Sequence, residues 1–271
     1  MMRKAPSAGA DVLVFDLEDA VAPDRKNEAR NAVNEVLTDA DFDPDAEVCV
    51  RVGSTAGAAD DLEIVLDGLD EGDLDAVMLP KAEGPADVET LAGVLNEHDY
   101  RIPVFALVES ARGVLNASDL ADAEQTDALI FGAEDLAADL GARRTDDGTE
   151  VLYARERVVV AASAANIDAI DTVYTDFQNE DGLRTDTDFT VQLGFDGKLA
   201  IHPAQVDPIN NAFTPESAQI DWATAVLDAK EEADADGRGV FSVDGQMIDA
   251  PLIAQAERVV ERARAAGVLD G

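Results

Sequence analysis

Histidine occurs only twice in the 271 residues, at His98 and His202, and cysteine only once, at Cys49. Two histidines cannot build a three-histidine zinc site, and they leave little room for a Ser-His-Asp triad. A lone cysteine excludes an intrachain disulfide, and its place inside an apolar run fits a chain kept in a reducing cytoplasm. No run of about 18 apolar residues occurs, so no membrane-spanning helix is expected. The opening MMRKAPSAGADV has neither the apolar stretch nor the small-residue cleavage site of an export signal, and a cytoplasmic location is expected. No G-x-G-x-x-G follows an apolar run and no G-x-x-x-x-G-K-[ST] is present, so dinucleotide and P-loop readings fall away.

Basic residues are also scarce, 20 against 58 acids, for a net charge of −38; the lysines are Lys4, Lys26, Lys81, Lys198 and Lys230 alone. The acids are spread along the whole chain rather than gathered in a tail (DADFDPDAE, DGLDEGDLD, EEADADG). This pattern reads as a halophilic protein from a cytoplasm holding molar salt, where a Debye length of about 3 Å screens self-repulsion. With no basic stripe, nucleic acid is not an expected partner.

What is present is alternation. Apolar runs rich in Val, Ile, Leu and Phe occur at 11–19, 47–53, 75–81, 103–110, 127–135, 170–176 and 198–203. Between them lie segments such as DRKNEARNAVNEVL and DVETLAGVLNEH, with apolar residues at three- and four-residue spacing. Strands alternating with helices mean a parallel sheet covered by helices. Seven strands are one short of a closed (β/α)₈ TIM barrel, a fold that takes about 250 residues. The helical-looking MMRKAPSAGA reads as the helix after a first strand, so the expectation is a barrel whose first strand is missing from this sequence; the alternative is an open seven-stranded doubly wound sheet. After the last run come an acidic helix (about 215–235), the Gly-rich segment GRGVFSVDGQMIDAP and a closing helix. The expected division is a barrel over 1–210 and a helical appendage over 211–271.

In a parallel barrel, active sites lie at the carboxyl ends of the strands. The runs end in Glu18 with Asp19, Arg51, Lys81, Glu109, Glu134 with Asp135, Asp176 and His202. Glu109 and Asp135, from consecutive runs, would make a site for a hard cation such as Mg²⁺, which takes oxygen ligands and keeps several waters. Arg51 and Lys81 on the same rim suit an anionic substrate and a developing enolate. Lys198 precedes its run and is expected on the opposite, stability face. His202 is expected to be a rim hydrogen-bonder rather than a general base. Lys26 and Arg30 lie one turn apart on the first long helix, with a solvated helix face as the plainer account of Arg30.

The strings FDLEDAV, RVG, LPK, LVESARGV, FGAEDLAADLG, GFDGKLAIHPAQ and DGQMIDAP, in this order, resemble the citrate lyase β-subunit and malyl-CoA lyase family of the HpcH/HpaI aldolase–citrate lyase superfamily. The resemblance covers nearly the whole chain and implies a TIM-barrel carbon–carbon lyase. Such an enzyme is Mg²⁺-dependent, with Mn²⁺ as a substitute, and reversibly cleaves a 3-hydroxyacyl-coenzyme A thioester (malyl-, β-methylmalyl- or citramalyl-CoA) to an acyl-CoA and a 2-oxo acid. By motif it makes Glu109 and Asp135 the metal ligands and Arg51 the substrate-binding arginine. Glu134 rivals Asp135, and is otherwise placed near the ion with Glu18 and Asp19. Asp19 could equally cap the following helix, and the resemblance assigns Lys81 no catalytic role. Asp249 matches an acid on a C-terminal lid that closes over a neighbouring subunit's site and moves a proton at the acyl α-carbon; as a residue before Ala250–Pro251 it also reads as a helix N-cap. The resemblance makes Lys26 and Arg30 candidates to face the phosphates of coenzyme A. It further implies a homotrimer or a dimer of trimers. The rival readings are a citrate lyase β-subunit acting on a citryl thioester within a larger complex, and a non-catalytic barrel serving as a binding or regulatory subunit.

Overall fold

The seven apolar runs form seven parallel strands hydrogen-bonded in chain order: β1 (Val12–Asp16), β2 (Glu47–Arg51), β3 (Ala76–Leu79), β4 (Val104–Val108), β5 (Thr126–Phe131), β6 (Asp168–Asp171) and β7 (Gly197–Lys198). The structure is a computed structural model and describes residues 2–70, 72–235 and 240–269. Between the strands run α1 (Lys26–Leu37), α2 (Ala58–Val65), α3 (Pro85–Glu97), α4 (Ala111–Leu115), α5 (Ala117–Ala121), α6 (Ala133–Leu140), α7 (Leu152–Ala165) and α8 (Glu180–Leu193). Sequential parallel order is the product of repeated right-handed βα crossovers.

Alternate residues of each strand go to two separate cores. Val50, Val77, Leu79, Ala106, Val108, Leu129 and Phe131 pack against the helices. Cys49, Ala76, Met78, Phe105, Leu107, Ala128 and Ile130 pack with one another on the other face. Every residue of β3 and β4 is therefore buried, which is why these runs read as continuously apolar rather than alternating. The 3₁₀ turn Met2–Ala8 that leads into β1 touches the 3₁₀ turn Pro203–Gln205 that follows β7, so the sheet curls until its two ends approach. β1 and β7 do not pair with each other among the described residues, and the sheet is a curled, seven-stranded half-barrel.

Every strand stops short of the end of its apolar run; β5 stops at Phe131, so Glu134 and Asp135 lie in the first turn of α6 rather than closing a strand. β6 ends at Asp171, so Asp176 lies in the following loop, where its Oδ1 accepts from the N–H of Gln178 at 3.3 Å. β7 is only two residues long: the Leu199 N–H still donates to the Asp171 carbonyl at 2.9 Å, the chain then leaves the sheet, and a 3₁₀ turn begins at Pro203. Lys198 is consequently the last residue of its strand rather than the one before it. Its side chain is buried among Asp171 and Asp186, at 3.4 and 2.6 Å, and not on the opposite face.

The chain divides into two compact units, Met1–Asp207 and Pro208–Gly271. α9 (Val206–Phe213) carries the boundary, and α10 (Ser217–Ala235), an antiparallel hairpin of β8 (Phe241–Val243) and β9 (Gln246–Ile248), and α11 (Ala250–Ala265) make up the second unit. Its small core holds Ala223, Val226, Ile248, Ala256 and Val260. The hairpin turns at Asp244–Gly245, both with positive φ, the backbone that a two-residue loop between twisted strands requires. Residues 237–239 of the Gly-rich segment lie outside the described residues. No described helix is long and apolar enough to cross a membrane.

Candidate active site

β4 ends at Val108 and delivers Glu109 into a nearly closed environment, 4% exposed. Its Oε1 accepts the backbone N–H of Lys81 at 2.9 Å. Gly132, after β5, leaves no room for anything larger beside it: a Cβ there would lie 2.6 Å from Glu109 Cβ and 2.7 Å from its Oε2. Burial is the main cause that pushes the Glu109 carboxyl up to about 8; Glu18 and Asp135 add to it, while the N–H and ammonium of Lys81 oppose it.

Lys81 turns away from the β3 strand with φ of 51°, a left-handed backbone that costs a non-glycine residue about 1–3 kcal/mol. That turn aims its N–H at Glu109 while Nζ donates to Glu18 Oε1 at 2.8 Å. Glu18 is 6% exposed, and its Oε2 faces Arg51 Nη1 at 3.1 Å without a hydrogen bond. Arg51 is held along its other edge by Asp16, Nε to Oδ1 at 2.8 Å and Nη2 to Oδ2 at 2.5 Å. Burial alone would raise the Asp16 carboxyl, but Arg51 and the N–H groups of Glu18 and Ala20 together hold it below the ordinary value.

Asp16 was not among the residues expected at the site. It pairs in register with Arg51 across β1 and β2, and that neighbourhood follows from sheet register, not from local pattern. The available signal was its two-residue spacing from Glu18, which puts both on one face of a strand.

Glu134 and Asp135 stand in different surroundings. Glu134 is exposed and accepts from Arg144 Nε at 2.9 Å; Arg144 also pairs with Glu150, whose carboxyl lies at about 2. Burial works to raise Glu150, and hydrogen bonds from the Thr145 hydroxyl and N–H and from Arg144 overcome it. Asp135, half-buried, has no hydrogen bond or ion pair among the described residues, yet is near enough to raise Glu109 and Lys81 electrostatically. The structure thus brings Glu18, Arg51, Lys81, Glu109 and Asp135 together at the carboxyl rim, with Asp16 behind Arg51.

Other candidates are engaged differently. Lys26 Nζ donates to the carbonyls of Leu17 and Glu18, tying α1 to the end of β1, and Arg30 pairs with the buried Asp61 at 2.7 Å. Asp19 is exposed, and α1 begins at Lys26, too far along for Asp19 to cap it. His202 Nδ1 accepts from the Ala204 N–H at 3.1 Å and its ring stacks on Phe177 at 5.1 Å, a structural use of the kind expected. Asp249 caps α11, accepting weakly from Leu252 N–H at 3.4 Å, and is exposed.

The donor set at the rim is all carboxylate oxygen, and a carboxyl pushed toward neutrality by burial, with two neighbouring acids adding to the effect, is a site that a hard cation would relieve. Among the described residues no three His, Cys, Asp or Glu side chains are grouped to hold an ion alone. Two carboxylates are what Mg²⁺ needs, because it keeps waters and substrate oxygens for its remaining positions. The residues fit a Mg²⁺ ion bound by Glu109 and Asp135.

A curled parallel α/β sheet with a carboxylate pair and a clamped arginine at its carboxyl rim defines a scaffold for metal-assisted chemistry on an anion. The chain belongs to the HpcH/HpaI aldolase/citrate lyase family, which matches residues 1–203. It is 36% identical over 286 residues to the mitochondrial citramalyl-CoA lyase of Rattus norvegicus (96% of this chain, 81% of that protein). It is 37% identical over 280 residues to the citrate lyase subunit beta of Leuconostoc mesenteroides subsp. cremoris (100% and 91%). Among solved structures, CitE from Mycobacterium tuberculosis in complex with magnesium, acetoacetate and coenzyme A superposes with a TM-score of 0.77 at 37% identity, covering 96% of this chain and 92% of that one.

Proposed function

We propose that this protein is a Mg²⁺-dependent carbon–carbon lyase that cleaves a 3-hydroxyacyl-coenzyme A thioester to an acyl-CoA and a 2-oxo acid, and runs the reverse condensation. The observation that carries the reading is the convergence of Glu109, Asp135 and Arg51 on one rim in a chain of this family. Glu109 and Asp135 hold the cation, which when bound polarises the carbonyl oxygen of the 2-oxo acid as a Lewis acid. Arg51, fixed by Asp16 along one edge and facing Glu18 through Nη1, stabilises the enolate oxygen of the acyl-CoA. In the cleavage direction the 3-hydroxyl loses its proton, the C2–C3 bond breaks, and its electron pair passes into the thioester enolate. The enolate then takes a proton at its α-carbon. Asp249 is assigned that transfer at a neighbouring subunit's site by the DGQMIDAP motif, supported by an exposed carboxylate with a single weak hydrogen bond. Glu18 and Lys81 orient Glu109 and Arg51 and set the charge around them.

The sheet is read as part of a closed (β/α)₈ barrel, supported by its sequential parallel order and approaching ends. Assembly as trimers, a high-salt cytoplasm and the Lys26 and Arg30 contacts to coenzyme A rest on sequence resemblance and composition.

The purified chain, in molar KCl with Mg²⁺, is expected to release glyoxylate or pyruvate from malyl-CoA, β-methylmalyl-CoA or citramalyl-CoA, read by coupled reduction of the 2-oxo acid. Turnover of a citryl thioester alone would favour a citrate lyase β-subunit, and no turnover of any thioester would overturn the reading. Gly132→Ala should reduce the rate about 10²-fold by pushing Glu109 aside, while overpacking costs only about 1–3 kcal/mol of stability. A Gly132→Ala enzyme with wild-type turnover would remove Glu109 from the chemistry.

A further inference from the structure

Glu109 dictates a glycine at position 132, and that glycine is also the residue preceding α6, the helix that bears Asp135. A glycine has no side-chain oxygen, so α6 begins with no cap of its own. The cap comes from the neighbouring strand. Thr172, just past β6 and 5% exposed, accepts the N–H of Ala133 on its Oγ1 at 3.0 Å in a fully buried bond. Thr172 is itself held in place: Lys198 Nζ donates to its backbone carbonyl at 2.8 Å. Lys198 is anchored in turn by Asp171 and Asp186. A continuous buried path therefore runs from the ion-pair network behind β6 and β7 to the first turn of α6, two residues before Asp135.

We infer that Thr172 is a positioning residue for the metal site: its hydroxyl takes the Ala133 N–H, the first unpaired donor of α6, and fixes Asp135 relative to Glu109. This rests on the reading that Asp135 binds the cation. Groups that orient ligating carboxylates typically contribute about 10–100-fold to metal affinity or activity. A threonine serving only to fill space would contribute to stability and not to the ion.

The test compares the full chain carrying Thr172→Ala with Thr172→Ser, the two differing by the hydroxyl alone, with Mg²⁺ itself as probe. Calorimetric Mg²⁺ dissociation constants are expected to rise about 10–100-fold in Thr172→Ala and to stay within about threefold of wild type in Thr172→Ser. The Mg²⁺ concentration for half-maximal turnover should shift in parallel, with KM for the thioester at saturating Mg²⁺ little changed. Equal Mg²⁺ affinity in the two variants, or equal loss in both, overturns the inference, as does a wild-type chain that binds no Mg²⁺. If the Ala variant weakens Mg²⁺ and Ser restores it while no thioester is cleaved by any form, the positioning role stands and the lyase reading fails.

Discussion

Glu109→Gln is expected to abolish Mg²⁺-dependent lyase turnover, at least about 10³-fold below wild type, since a metal Lewis acid supplies several kcal/mol and each 1.36 kcal/mol is tenfold. The fold should survive, because the amide oxygen of glutamine can still accept the N–H of Lys81 and the volume is unchanged. The metal-free variant should also show a distinctive pH dependence of stability. In wild type the folded carboxyl sits at about 8, above its unfolded value of about 4.3. A group raised in this way contributes stability that is fully present below the unfolded value and is lost as pH rises through the folded one. Glutamine has no proton to lose, so melting of Glu109→Gln without Mg²⁺ should decline less than wild type between about pH 5 and 8. Thermal melts across that range, alongside turnover, separate loss of the ion from loss of the fold. Retained Mg²⁺-dependent turnover would remove Glu109 from the metal.

The strands were legible because each one is an apolar run of the length a buried parallel strand takes, and the rim carboxylates were legible because each stands where such a run stops. Partnership between residues was not legible. Asp16 reaches Arg51 only through the register of β1 on β2, and nothing within either run encodes that pairing. Glu134 and Asp135 are adjacent in sequence and equally acidic; only the structure shows that Arg144, ten residues on, pairs with Glu134. Lys198 was misplaced because KLAIHP looks like one strand, whereas the strand ends at the lysine and only the Leu199 N–H beyond it still bonds to β6. Gly132 carried no visible signal, since a glycine after a strand is common and only the approach of Glu109 shows why this one is needed. The cap from Thr172 is of the same kind, a contact between residues 39 positions apart.

Asp171→Asn should be the most destabilising single change in the first unit, although Asp171 touches no rim residue. The carboxylate is fully buried and receives Arg155 through Nε at 3.2 Å and through Nη2, the Thr190 hydroxyl at 2.6 Å and Lys198 at 3.4 Å. Burial opposes its ionisation, but Lys198 and Arg155, with the Thr190 hydroxyl, outweigh it and hold the carboxyl below its ordinary value. Removing the charge leaves Arg155 and Lys198 sharing only Asp186, which is itself partly exposed. Breaking a buried pair from one side costs about 3–5 kcal/mol because the partner stays desolvated. At about 2–4 °C per kcal/mol for a domain of this size, the melting midpoint should fall on the order of 10 °C. Exposed pairs such as Arg184–Glu180 and Lys230–Asp234 are solvent-screened, so removing either should be nearly silent. Salt distinguishes the two cases further, since screening acts on exposed charges and little on buried ones; the Asp171→Asn deficit should persist in molar KCl. Because the folded value is depressed, the stability that Asp171 confers is present above the unfolded value of about 3.9 and lost as pH falls through the folded one. The variant should therefore lose part of the wild type's acid sensitivity while melting lower at neutral pH. An Asp171→Asn protein that melts within about 3 °C of wild type in both low and molar salt would mean that Asp186 alone satisfies the two cations, and that the buried path to Thr172 does not depend on Asp171.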